Sequence, residues 1–452
     1  MMLQSNHMRN IDTFFIESLG CAKNTVDSHA MNAVLTRAGY RSVTNSEQAD
    51  VVIVNTCGFI RPAREESIQV LNDYIEKKNS NQFVIAAGCL SERERGKLVR
   101  EVPGLDAALS TRRWMDILQV IQRLEEDAIS PYLHFPSASE MTVNLEGVPS
   151  FAMQGKSAYL KIADGCDRQC AFCAIPSIKG PMVSRKPEDI FHDAQQLQQI
   201  GIKEIILIAQ DSTAYGRDLG IRDGLPVLLR ELVSKIPQVP WIRIMYTFPG
   251  SVSEQLIGVM RDQAQILPYL DIPLQHAHPK VLKRMQRPSN MGQVKTLLKK
   301  MKTEIPALSL RTTFIVGFPG ETKEEFSALM DFMREIRFDH VGIFPYYHEE
   351  GTPSYALSDS VTEDEKNERI QTLARLQEDI SLEKNQAWIG KRLNVLIEGH
   401  GDGISIGRSY RDAPEIDGLV FIDGIIDPGE IINVQITGAL VHDLIGIKRQ
   451  KG

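Results

Sequence analysis

The stretch 165-GCDRQCAFC-173 carries Cys166, Cys170 and Cys173 in the order C-x3-C-x2-C. Three thiolates at this spacing can each hold one iron of a 4Fe–4S cluster and leave the fourth iron without a protein ligand. A cluster closed by four cysteines mainly moves electrons, whereas an open iron can bind and activate a small molecule. Such clusters are the usual partners of S-adenosylmethionine in radical chemistry. The motif therefore predicts a catalytic cluster on these three cysteines.

Zinc binding and disulfide formation are the alternative roles for such cysteines. Zinc prefers C-x2-C pairs and four ligands, and no second pair follows in this sequence. A disulfide would need an oxidising compartment. The spacing favours the iron–sulfur cluster over both.

The bulk composition bounds the class of protein. A chain of 452 residues has room for about two to four domains, and 42% hydrophobic with 24% charged residues is typical of a globular protein with a large core. Met1 to Asn10 has no apolar run and no small-residue cleavage site, and no uncharged apolar stretch is long enough to span a membrane. These features predict a cytoplasmic protein without a membrane partner, in a compartment where thiols stay reduced.

Residues 10–128 are predicted to form an N-terminal α/β domain with an open, mainly parallel sheet. Three apolar runs have the length of buried strands, and a helical pattern follows each of them. The runs are 13–16, 51–54 and 83–87, and the helical patterns are 26–38, 63–77 and 92–102. Repeated strand–helix units of this kind indicate a parallel sheet.

The other three cysteines of the chain each follow one of these strands. Cys21, Cys57 and Cys89 lie just past the predicted carboxyl ends, and each has a glycine beside it that allows a tight turn. In an open α/β sheet the carboxyl ends form the ligand-binding edge, so these distant residues should meet. Free cysteine is often simply buried, but three of three at one edge is much less expected by chance. The pattern predicts a second metal centre, again with an open iron because no fourth cysteine is left.

Residues 152–382 are predicted to form a partial (βα)6 barrel. Six strand-like runs alternate with five helical patterns. The strands are 158–163, 204–209, 241–247, 269–273, 311–316 and 340–346, and the helices are 187–200, 225–235, 253–262, 291–304 and 323–336. In such barrels chemistry takes place at the carboxyl ends of the strands, and the C-x3-C-x2-C loop follows the first of them.

Several other polar residues follow the predicted barrel strands. They are Gln210 and Asp211 after the second strand, Gln275 and His276 after the fourth, and 317-GFPGE-321 after the fifth. A histidine such as His276 is more often a structural or surface residue than a ligand. The glycine–proline stretch can be a simple turn. The positions of these residues in the sequence do not decide between binding a ligand and a purely structural role.

Residues 385–451 are predicted to form a small closed β-barrel. Helical periodicity stops after a long helix at 359–388. Short apolar runs follow at 393–397, 419–422 and 431–437, divided by glycine and Asp-Pro-Gly turns. Short strands with such turns are typical of small barrels.

The charge of this predicted barrel bears on its partner. Small barrels commonly bind RNA, but only two basic residues stand against nine acidic ones between Glu398 and Asp443, and the whole chain has a net charge of −7. A phosphate-binding surface needs the opposite sign. An acidic barrel would instead attract a basic protein, and ribosomal proteins are basic, although acidic surfaces can also serve solubility alone. On balance the charge favours a protein substrate, with direct nucleic-acid binding absent or secondary.

The three-part layout resembles the radical S-adenosylmethionine methylthiotransferases over nearly the whole chain. Within this family the sequence is most similar to the enzymes that modify ribosomal protein S-twelve. The matching stretches are 20-GCAKN-24, 26-VDS-28, 55-NTCGFI-60, 269-YLDIPLQH-276, 407-GRS-409 and 412-DAPEIDG-418. The last two are the most telling, because they lie in the barrel that is expected to face the substrate; that barrel is the domain known as TRAM.

The resemblance implies the reaction and its cofactors. The reaction adds a methylthio group to the β-carbon of an aspartate in ribosomal protein S-twelve, free or within the small ribosomal subunit. The family has two 4Fe–4S clusters, which implies a catalytic one on the C-x3-C-x2-C cysteines and an auxiliary one on Cys21, Cys57 and Cys89. The cofactor S-adenosylmethionine would then lie beside Gln210 and Gln275, and an electron donor and a sulfur donor are also implied.

Two rival functions stay open at this point. One is the same chemistry on a tRNA adenosine, by enzymes that share the cysteines but tend to carry a more basic barrel. The other is an iron–sulfur scaffold or electron carrier without catalysis. An open iron, a complete barrel and polar strand ends argue against the second rival.

Overall fold

A computed structural model describes residues 11–126, 130–136 and 147–448 of the chain. The predictions about Met1 to Asn10 lie outside the described residues. The chain divides into two compact units. The first comprises Met1–Ala152, Ala163–Arg168 and Cys173–Arg185, and the second comprises Met153–Ile162, Gln169–Phe172 and Lys186–Gly452. None of the described helices has both the length and the apolarity that crossing a membrane requires.

The first unit begins with alternating strands and helices. Its elements are β1 (Thr13–Ser18), α1 (Ala22–Arg37), β2 (Arg41–Ser42), β3 (Val51–Thr56), α2 (Arg61–Lys77), β4 (Phe83–Ala87), α3 (Gly88–Glu94), α4 (Leu98–Glu101), β5 (Ala107–Leu109), α5 (Ile117–Glu125) and β6 (Tyr132–His134). The strands pair in parallel in the order β2-β1-β3-β4-β5-β6, which confirms the predicted open sheet. The strand order reverses between β1 and β3, the switch point where sheets of this kind bind ligands.

The central strands of this sheet are apolar along most of their length because both faces are covered. Every residue of β3 and β4 is buried. One apolar core on the sheet includes Phe14 and Leu35, and a second includes Val52 and Leu71. The helix predicted at 92–102 is instead the two short helices α3 and α4, since the chain turns at a positive φ between them.

Short elements follow the N-terminal sheet in the chain. They are β7 (Phe151–Gln154), β8 (Ser157–Lys161), β9 (Ala163–Asp164), α6 (Ile175–Lys179) and β10 (Val183–Ser184). The antiparallel pair β9 and β10 and the helix α6 belong to the first unit, whereas β8 belongs to the second. The C-x3-C-x2-C loop crosses this division, with Cys166 and Cys173 in the first unit and Cys170 in the second.

The second unit contains the strands and helices of the predicted barrel. After β8 they are α7 (Pro187–Gln199), β11 (Glu204–Ile208), α8 (Gly224–Lys235), β12 (Trp241–Ile244), α9 (Glu254–Asp262), β13 (Ile266–Asp271), α10 (Pro279–Arg284), α11 (Met291–Glu304), β14 (Ser309–Val316), α12 (Lys323–Ile336), β15 (His340–Pro345) and α13 (Glu363–Gln386). The strands β8, β11, β12, β13, β14 and β15 pair in this order and in parallel, which confirms the partial (βα)6 barrel. Ser253 caps α9, and Thr322 with Glu325 forms a capping box at α12.

The C-terminal strands of the second unit form a closed barrel, as predicted. They are β16 (Arg392–Gly401), β17 (Ile404–Ser409), β18 (Val420–Asp423), β19 (Ile431–Ala439) and β20 (Leu444–Lys448). They pair in the order β16-β17-β18-β20-β19. Alternate side chains point inward and form a core that includes Val395, Ile422 and Val434.

The segment after β17 packs against the (βα)6 strands of the second unit. The buried Arg408 guanidinium donates to one carboxylate oxygen of Glu204 over 2.7 Å, and Arg243 donates to the other over 2.7 Å. Burial alone would raise the pKa of Glu204, but the two arginines lower it to about 2. Further along the segment, the Tyr269 hydroxyl donates to Asp417 over 2.7 Å. Arg408 also donates to the Ser157 hydroxyl of β8 over 3.0 Å, so these contacts fix the small barrel on β8, β11, β12 and β13.

This packing buries several of the charged residues counted for the small barrel. In the stretch 412–418, the Asp412 and Asp417 side chains are buried, whereas Ile416 is 48% exposed. Asp417 pairs with Arg311 at 3.3 Å and with His340 at 3.5 Å. Arg408 and Arg411, the two basic residues counted between Glu398 and Asp443, are buried as well. Burial thus removes two residues of each sign from the count, and the exposed residues of this segment keep their acidic balance.

Candidate functional site

The auxiliary cysteines, Cys21, Cys57 and Cys89, lie at the carboxyl edge of the sheet in the first unit. Cys21 precedes α1, Cys57 follows β3 directly, and Cys89 lies in the first turn of α3. A Cβ atom placed on Gly20 would lie 2.8 Å from the Cβ of Cys57 and 3.0 Å from its sulfur. One placed on Gly58 would lie 2.8 Å from the carbonyl carbon of Cys89. The loops after β1, β3 and β4 are thus packed against one another, as the sheet topology predicts.

The sulfurs of the auxiliary cysteines act on one another electrostatically. Burial raises the pKa of the Cys57 thiol, and the nearby Cys21 sulfur also raises it. Burial raises the pKa of Cys89 to about 12; Cys21 and Cys57 contribute to the rise, and Lys179 opposes it. Thiols in such surroundings stay protonated near neutral pH unless a metal binds and displaces the proton.

A buried asparagine fixes the geometry of this edge. The Asn24 side-chain amide donates to the carbonyl oxygens of Leu19 over 2.9 Å and Thr56 over 3.0 Å. Its Oδ1 accepts from the Cys89 sulfur over 3.7 Å. Sequence reasoning did not select Asn24 as a site residue; the available signal is its place in the first turn of the helix that follows Cys21.

The donor set at this edge suits an iron–sulfur cluster. It consists of three sulfurs, the ligands that Fe–S clusters prefer. A cubane spreads its protein ligands over separate irons, so they stand farther apart than the ligands of one ion. Within 11–126, 130–136 and 147–448, no three His, Cys, Asp or Glu side chains are close enough to share a single metal ion. The auxiliary cysteines are therefore candidates for cluster ligands rather than for a mononuclear site.

The motif cysteines, Cys166, Cys170 and Cys173, receive hydrogen bonds of the kind that thiolate ligands accept. In the first unit, the backbone amide two residues after Cys166 donates to its sulfur over 3.4 Å, and the same holds for Cys173. In the second unit, the Arg287 guanidinium donates to the Cys170 sulfur over 3.5 Å. Such donors tune the potential of a cluster and hold its ligands in place.

Arg287 is a functional candidate that no sequence pattern singled out. Besides the Cys170 sulfur, its guanidinium donates to the Pro273 carbonyl oxygen. The guanidinium carbon lies 4.3 Å from the ring centroid of Phe248. A positive charge held by a carbonyl and an aromatic face is well placed to act on an anionic ligand set.

Gln275 occupies a strained position after β13. Its φ of 73° lies in the left-handed region, which few residues other than glycine adopt. Its N–H donates to the Thr313 carbonyl over 2.8 Å, and its carbonyl accepts from Ile315 over 2.7 Å. Its Oε1 is buried, and none of the described residues donates a hydrogen bond to it. A buried acceptor held in this way suits a polar ligand, which agrees with its predicted place beside the cofactor.

Gln210 lies after β11, at the same carboxyl edge of the (βα)6 sheet as Gln275. The neighbouring Asp211 is buried and accepts a hydrogen bond from Thr213. Tyr246, after β12, also has a positive φ, of 60°. Two residues with strained backbone, Tyr246 and Gln275, thus lie at the strand ends where this fold places its chemistry.

His276 is a structural residue in this unit. Its ring is fully buried, and Nδ1 accepts from the His278 backbone N–H over 3.0 Å. Nε2 therefore carries the proton and donates to Glu321 over 3.3 Å. Glu321 also accepts from the Gly317 N–H and pairs with Arg369 at 3.1 Å. The glycine–proline stretch is consequently a turn closed by Glu321.

Models of three known families match the chain. The uncharacterized protein family UPF0004 matches residues 13–110, the Radical SAM superfamily matches 160–333, and the TRAM domain matches 389–447.

Curated relatives match along almost the whole chain. The ribosomal protein uS12 methylthiotransferase RimO of a Roseiflexus species is 44% identical over 458 residues, which cover 96% of this chain and 96% of the relative. The enzyme of the same name from Chloroflexus aurantiacus is 44% identical and covers 96% of this chain and 99% of its own. The enzyme of the same name from a Thermoanaerobacter species is 44% identical, and the match covers 97% of this chain and 100% of the relative.

Solved structures share the fold at low sequence identity. The radical S-adenosylmethionine methyltransferase TsrM from Kitasatospora setae, solved with cobalamin and a 4Fe–4S cluster bound, aligns with a TM-score of 0.58 at 13% identity over 87% of this chain and 80% of its own. The cobalamin-dependent S-adenosylmethionine radical enzyme OxsB aligns with a TM-score of 0.53 at 11% identity, over 80% of this chain and 56% of its own. At these identities the likeness concerns the fold alone.

Proposed function

The chain belongs to the RimO family of ribosomal protein uS12 methylthiotransferases, and we propose that it adds a methylthio group to the β-carbon of an aspartate in uS12, the S-twelve protein of the small subunit. Membership rests on 44% identity over 96% of the chain. The relatives carry the uS12 name, which favours the protein substrate over the tRNA alternative. The observation that carries the proposal is the presence of two separate sets of three cysteines, each near the carboxyl ends of parallel strands.

This chemistry requires a radical because the β-carbon carries an unactivated C–H bond. Acid–base groups alone do not supply the barrier reduction. As a member of the Radical SAM superfamily, the enzyme uses S-adenosylmethionine and a 4Fe–4S cluster, which when bound supply one electron and a 5′-deoxyadenosyl radical. We assign Cys166, Cys170 and Cys173 as the ligands of this cluster, with one coordination position left for S-adenosylmethionine.

The residues around the motif cysteines have separate tasks in this proposal. Arg287 and the two backbone amides stabilise the thiolates through hydrogen bonds. The buried Oε1 of Gln275 accepts a hydrogen bond from an amino or hydroxyl group of S-adenosylmethionine. Gln210 follows β11, which β12 separates from β13 at the same edge of the sheet, and supports the same cofactor.

The auxiliary cysteines hold a second 4Fe–4S cluster in this proposal. Their three thiolates leave one coordination position for the sulfur that is to be transferred. Asn24 keeps the loops after β1, β3 and β4 in register. An external electron donor and a sulfur donor complete the reaction.

The three predicted domains divide the work in this proposal. Residues 10–128 carry the auxiliary cluster, 152–382 carry the radical chemistry, and 385–451 bind the substrate protein. The prediction of a cytoplasmic location stays a prediction.

The outer face of three neighbouring strands of the small barrel supports binding of a protein. Ile404, Asp423 and Ile447 form one row across β17, β18 and β20. Ile404 and Ile447 are each 44% exposed, and the nearby Ile445 is 41% exposed. Exposed apolar side chains beside a carboxylate suit a basic protein better than a phosphate backbone. We therefore assign this face to uS12.

The deciding experiment compares the two substrates directly. The anaerobically reconstituted enzyme is incubated with S-adenosylmethionine, a reductant and a sulfide source, together with small ribosomal subunits or with tRNA. Mass spectrometry should find one methylthio group in place of one hydrogen on an aspartate peptide of uS12, and unmodified tRNA nucleosides. A modified adenosine with unchanged uS12 would overturn the proposal.

A further inference from the structure

A buried lysine lies near the auxiliary cysteines within the first unit. Lys179, the last residue of α6, is 2% exposed. Its Nζ lies 3.1 Å from Oδ2 of Asp27 and 3.2 Å from Oδ2 of Asp164. Asp27 is on α1, the helix that Cys21 precedes, and Asp164 ends β9. One ammonium group and two carboxylates thus join three segments of this unit.

The helix that carries Lys179 packs directly on one auxiliary cysteine. Cys89, Ala174 and Ile178 form one buried apolar cluster. Arg112 holds α6 in this position, because its guanidinium donates to the Ile178 carbonyl over 2.8 Å and to the Ser177 carbonyl over 2.6 Å. The Lys179 ammonium group is therefore fixed near the Cys89 sulfur, and it opposes the rise in the pKa of Cys89 that burial causes.

A charge at this position calls for a reason other than fold stability. Removing an ammonium group and its carboxylate partners from water is costly, and well-packed apolar residues often stabilise a protein equally well or better. The apolar cluster beside Lys179 offers such packing. An apolar side chain at this position could supply the packing but not the positive charge, so the buried lysine calls for a role that needs the charge.

We propose that Lys179 is a positioning residue of the auxiliary site, whose ammonium group, oriented by Asp27, sets the reduction potential of the cluster held by Cys21, Cys57 and Cys89. This inference rests on the proposed assignment of those cysteines as cluster ligands. A nearby cation stabilises the reduced cluster, which carries more negative charge, and so raises its potential. The Asp27 and Asp164 carboxylates both weaken that effect, because each compensates part of the lysine charge.

Two substitutions test the sign of this effect. Lys179→Met removes the positive charge and should lower the midpoint potential. Asp27→Asn removes a negative charge that faces the lysine and should raise it. Lys179→Arg keeps the charge and should stay close to the parent protein, and Lys186→Met, at an exposed lysine, is the matched control. A purely structural role would weaken cluster binding in both variants but would not reverse the direction of the shift.

The measurement uses the full chain with Cys166→Ala, Cys170→Ala and Cys173→Ala, so that only the auxiliary cluster can form. Iron and sulfide analysis after anaerobic reconstitution comes first, followed by a redox titration monitored by electron paramagnetic resonance. About four irons per chain are expected. A parent protein that binds no cluster would remove the proposed auxiliary site and the inference with it.

If the parent protein binds the cluster, the midpoint potentials of the variants test the inference. Equal potentials in Lys179→Met, Asp27→Asn and the parent, or shifts of both in one direction, would overturn the inference while leaving the auxiliary site in place. If Lys179→Met fails to bind iron, the midpoint potentials of Asp27→Asn and Lys179→Arg are compared instead. The inference then requires a raised potential in Asp27→Asn and an unchanged one in Lys179→Arg.

Discussion

The two sets of cysteines in this chain offer the same ligand atoms but are assembled in different ways. The motif cysteines come from one short loop, whereas the auxiliary cysteines come from three loops that only the sheet brings together. The sulfurs of the first set accept hydrogen bonds from backbone amides and from Arg287. In the second set, Cys89 is buried, Cys57 is partly buried and Cys21 is exposed. The Cys89 sulfur donates to Asn24, and the charge of Lys179 acts on it.

This difference in assembly indicates how each set of cysteines should respond to substitutions nearby. A site on one loop depends on local backbone and on the groups that touch its sulfurs. A site assembled from three strand ends depends on close packing between loops, so a single added methyl group can disturb it. The two sets should therefore fail independently and for different reasons.

The largest expected effect comes from removing either set. Replacing the motif cysteines by alanine should abolish formation of 5′-deoxyadenosine. Replacing the auxiliary cysteines should leave S-adenosylmethionine cleavage but stop thiolation of uS12. Chromatography of 5′-deoxyadenosine and mass spectrometry of uS12 measure the two outcomes, and iron should fall from about eight to about four per chain in either variant. Full product from the variant without auxiliary cysteines would mean that this set has no role.

The next effect tests the close packing of the auxiliary loops. In Gly20→Ala the new Cβ would lie 2.8 Å from the Cβ of Cys57, at a φ of 89°. We expect loss of the auxiliary iron, from about eight toward about four per chain, with S-adenosylmethionine cleavage retained. Gly39→Ala is the control, because its φ of 100° imposes similar strain while, apart from its chain neighbours, no atom of the described residues lies within 4 Å of the added carbon. Equal iron loss in both variants would attribute the effect to strain rather than to the contact with Cys57.

A smaller effect on S-adenosylmethionine cleavage is expected when Arg287, which donates a hydrogen bond to the Cys170 sulfur, is replaced. Arg287→Met removes the hydrogen bond to the Cys170 sulfur. Neighbours that hold metal ligands are typically worth about 10–100-fold in affinity or activity, so cleavage of S-adenosylmethionine should slow by about that factor. The auxiliary iron should not change. Arg284→Met is the control, since its guanidinium pairs with Glu325. An unchanged cleavage rate in Arg287→Met would remove Arg287 from the site.

The two sets also differ in how far the sequence predicts them. The prediction of the motif cysteines follows from spacing alone, because all three lie in one short stretch of sequence. The auxiliary cysteines required the strand order, which the alternation of apolar runs and helical patterns predicted. Asn24, Arg287 and Lys179 were not predicted, because their roles depend on contacts between segments far apart in sequence. Composition and periodicity give no sign that Lys179 is buried.

The small barrel shows a prediction that stood although the sequence does not reveal which of its charged residues are buried. Strand count and turns predicted the closed barrel, and the acidic balance favoured a protein substrate, as the family membership supports. The charge count included the buried Asp412 and Asp417, but it also included the buried Arg408 and Arg411, so the acidic balance of the exposed residues is unchanged. Burial of a charged side chain depends on a partner such as Arg311, and sequence patterns do not reveal that pairing.

The smallest effect on either set of cysteines is expected from Glu204, at the amino end of β11. Glu204→Gln leaves Arg243 and Arg408 buried beside a neutral side chain. The folded pKa of Glu204, about 2, lies below its usual 4.5, so its contribution to stability is complete above pH 4.5 and is lost as the pH falls toward 2. The shift corresponds to about 3 kcal/mol at neutral pH.

Urea unfolding followed by the fluorescence of the tryptophans, which include the buried Trp241, measures this contribution. The midpoint of Glu204→Gln should lie well below that of the parent at pH 7, and the gap should narrow as the pH is lowered from 4.5 toward 2. Glu254→Gln, at an exposed ion pair with Lys300, should show little gap at either pH. Cleavage of S-adenosylmethionine at neutral pH should stay near the parent rate, because Glu204 touches neither set of cysteines. A gap that persists unchanged at low pH would show that Glu204 stabilises the contact by shape rather than by charge.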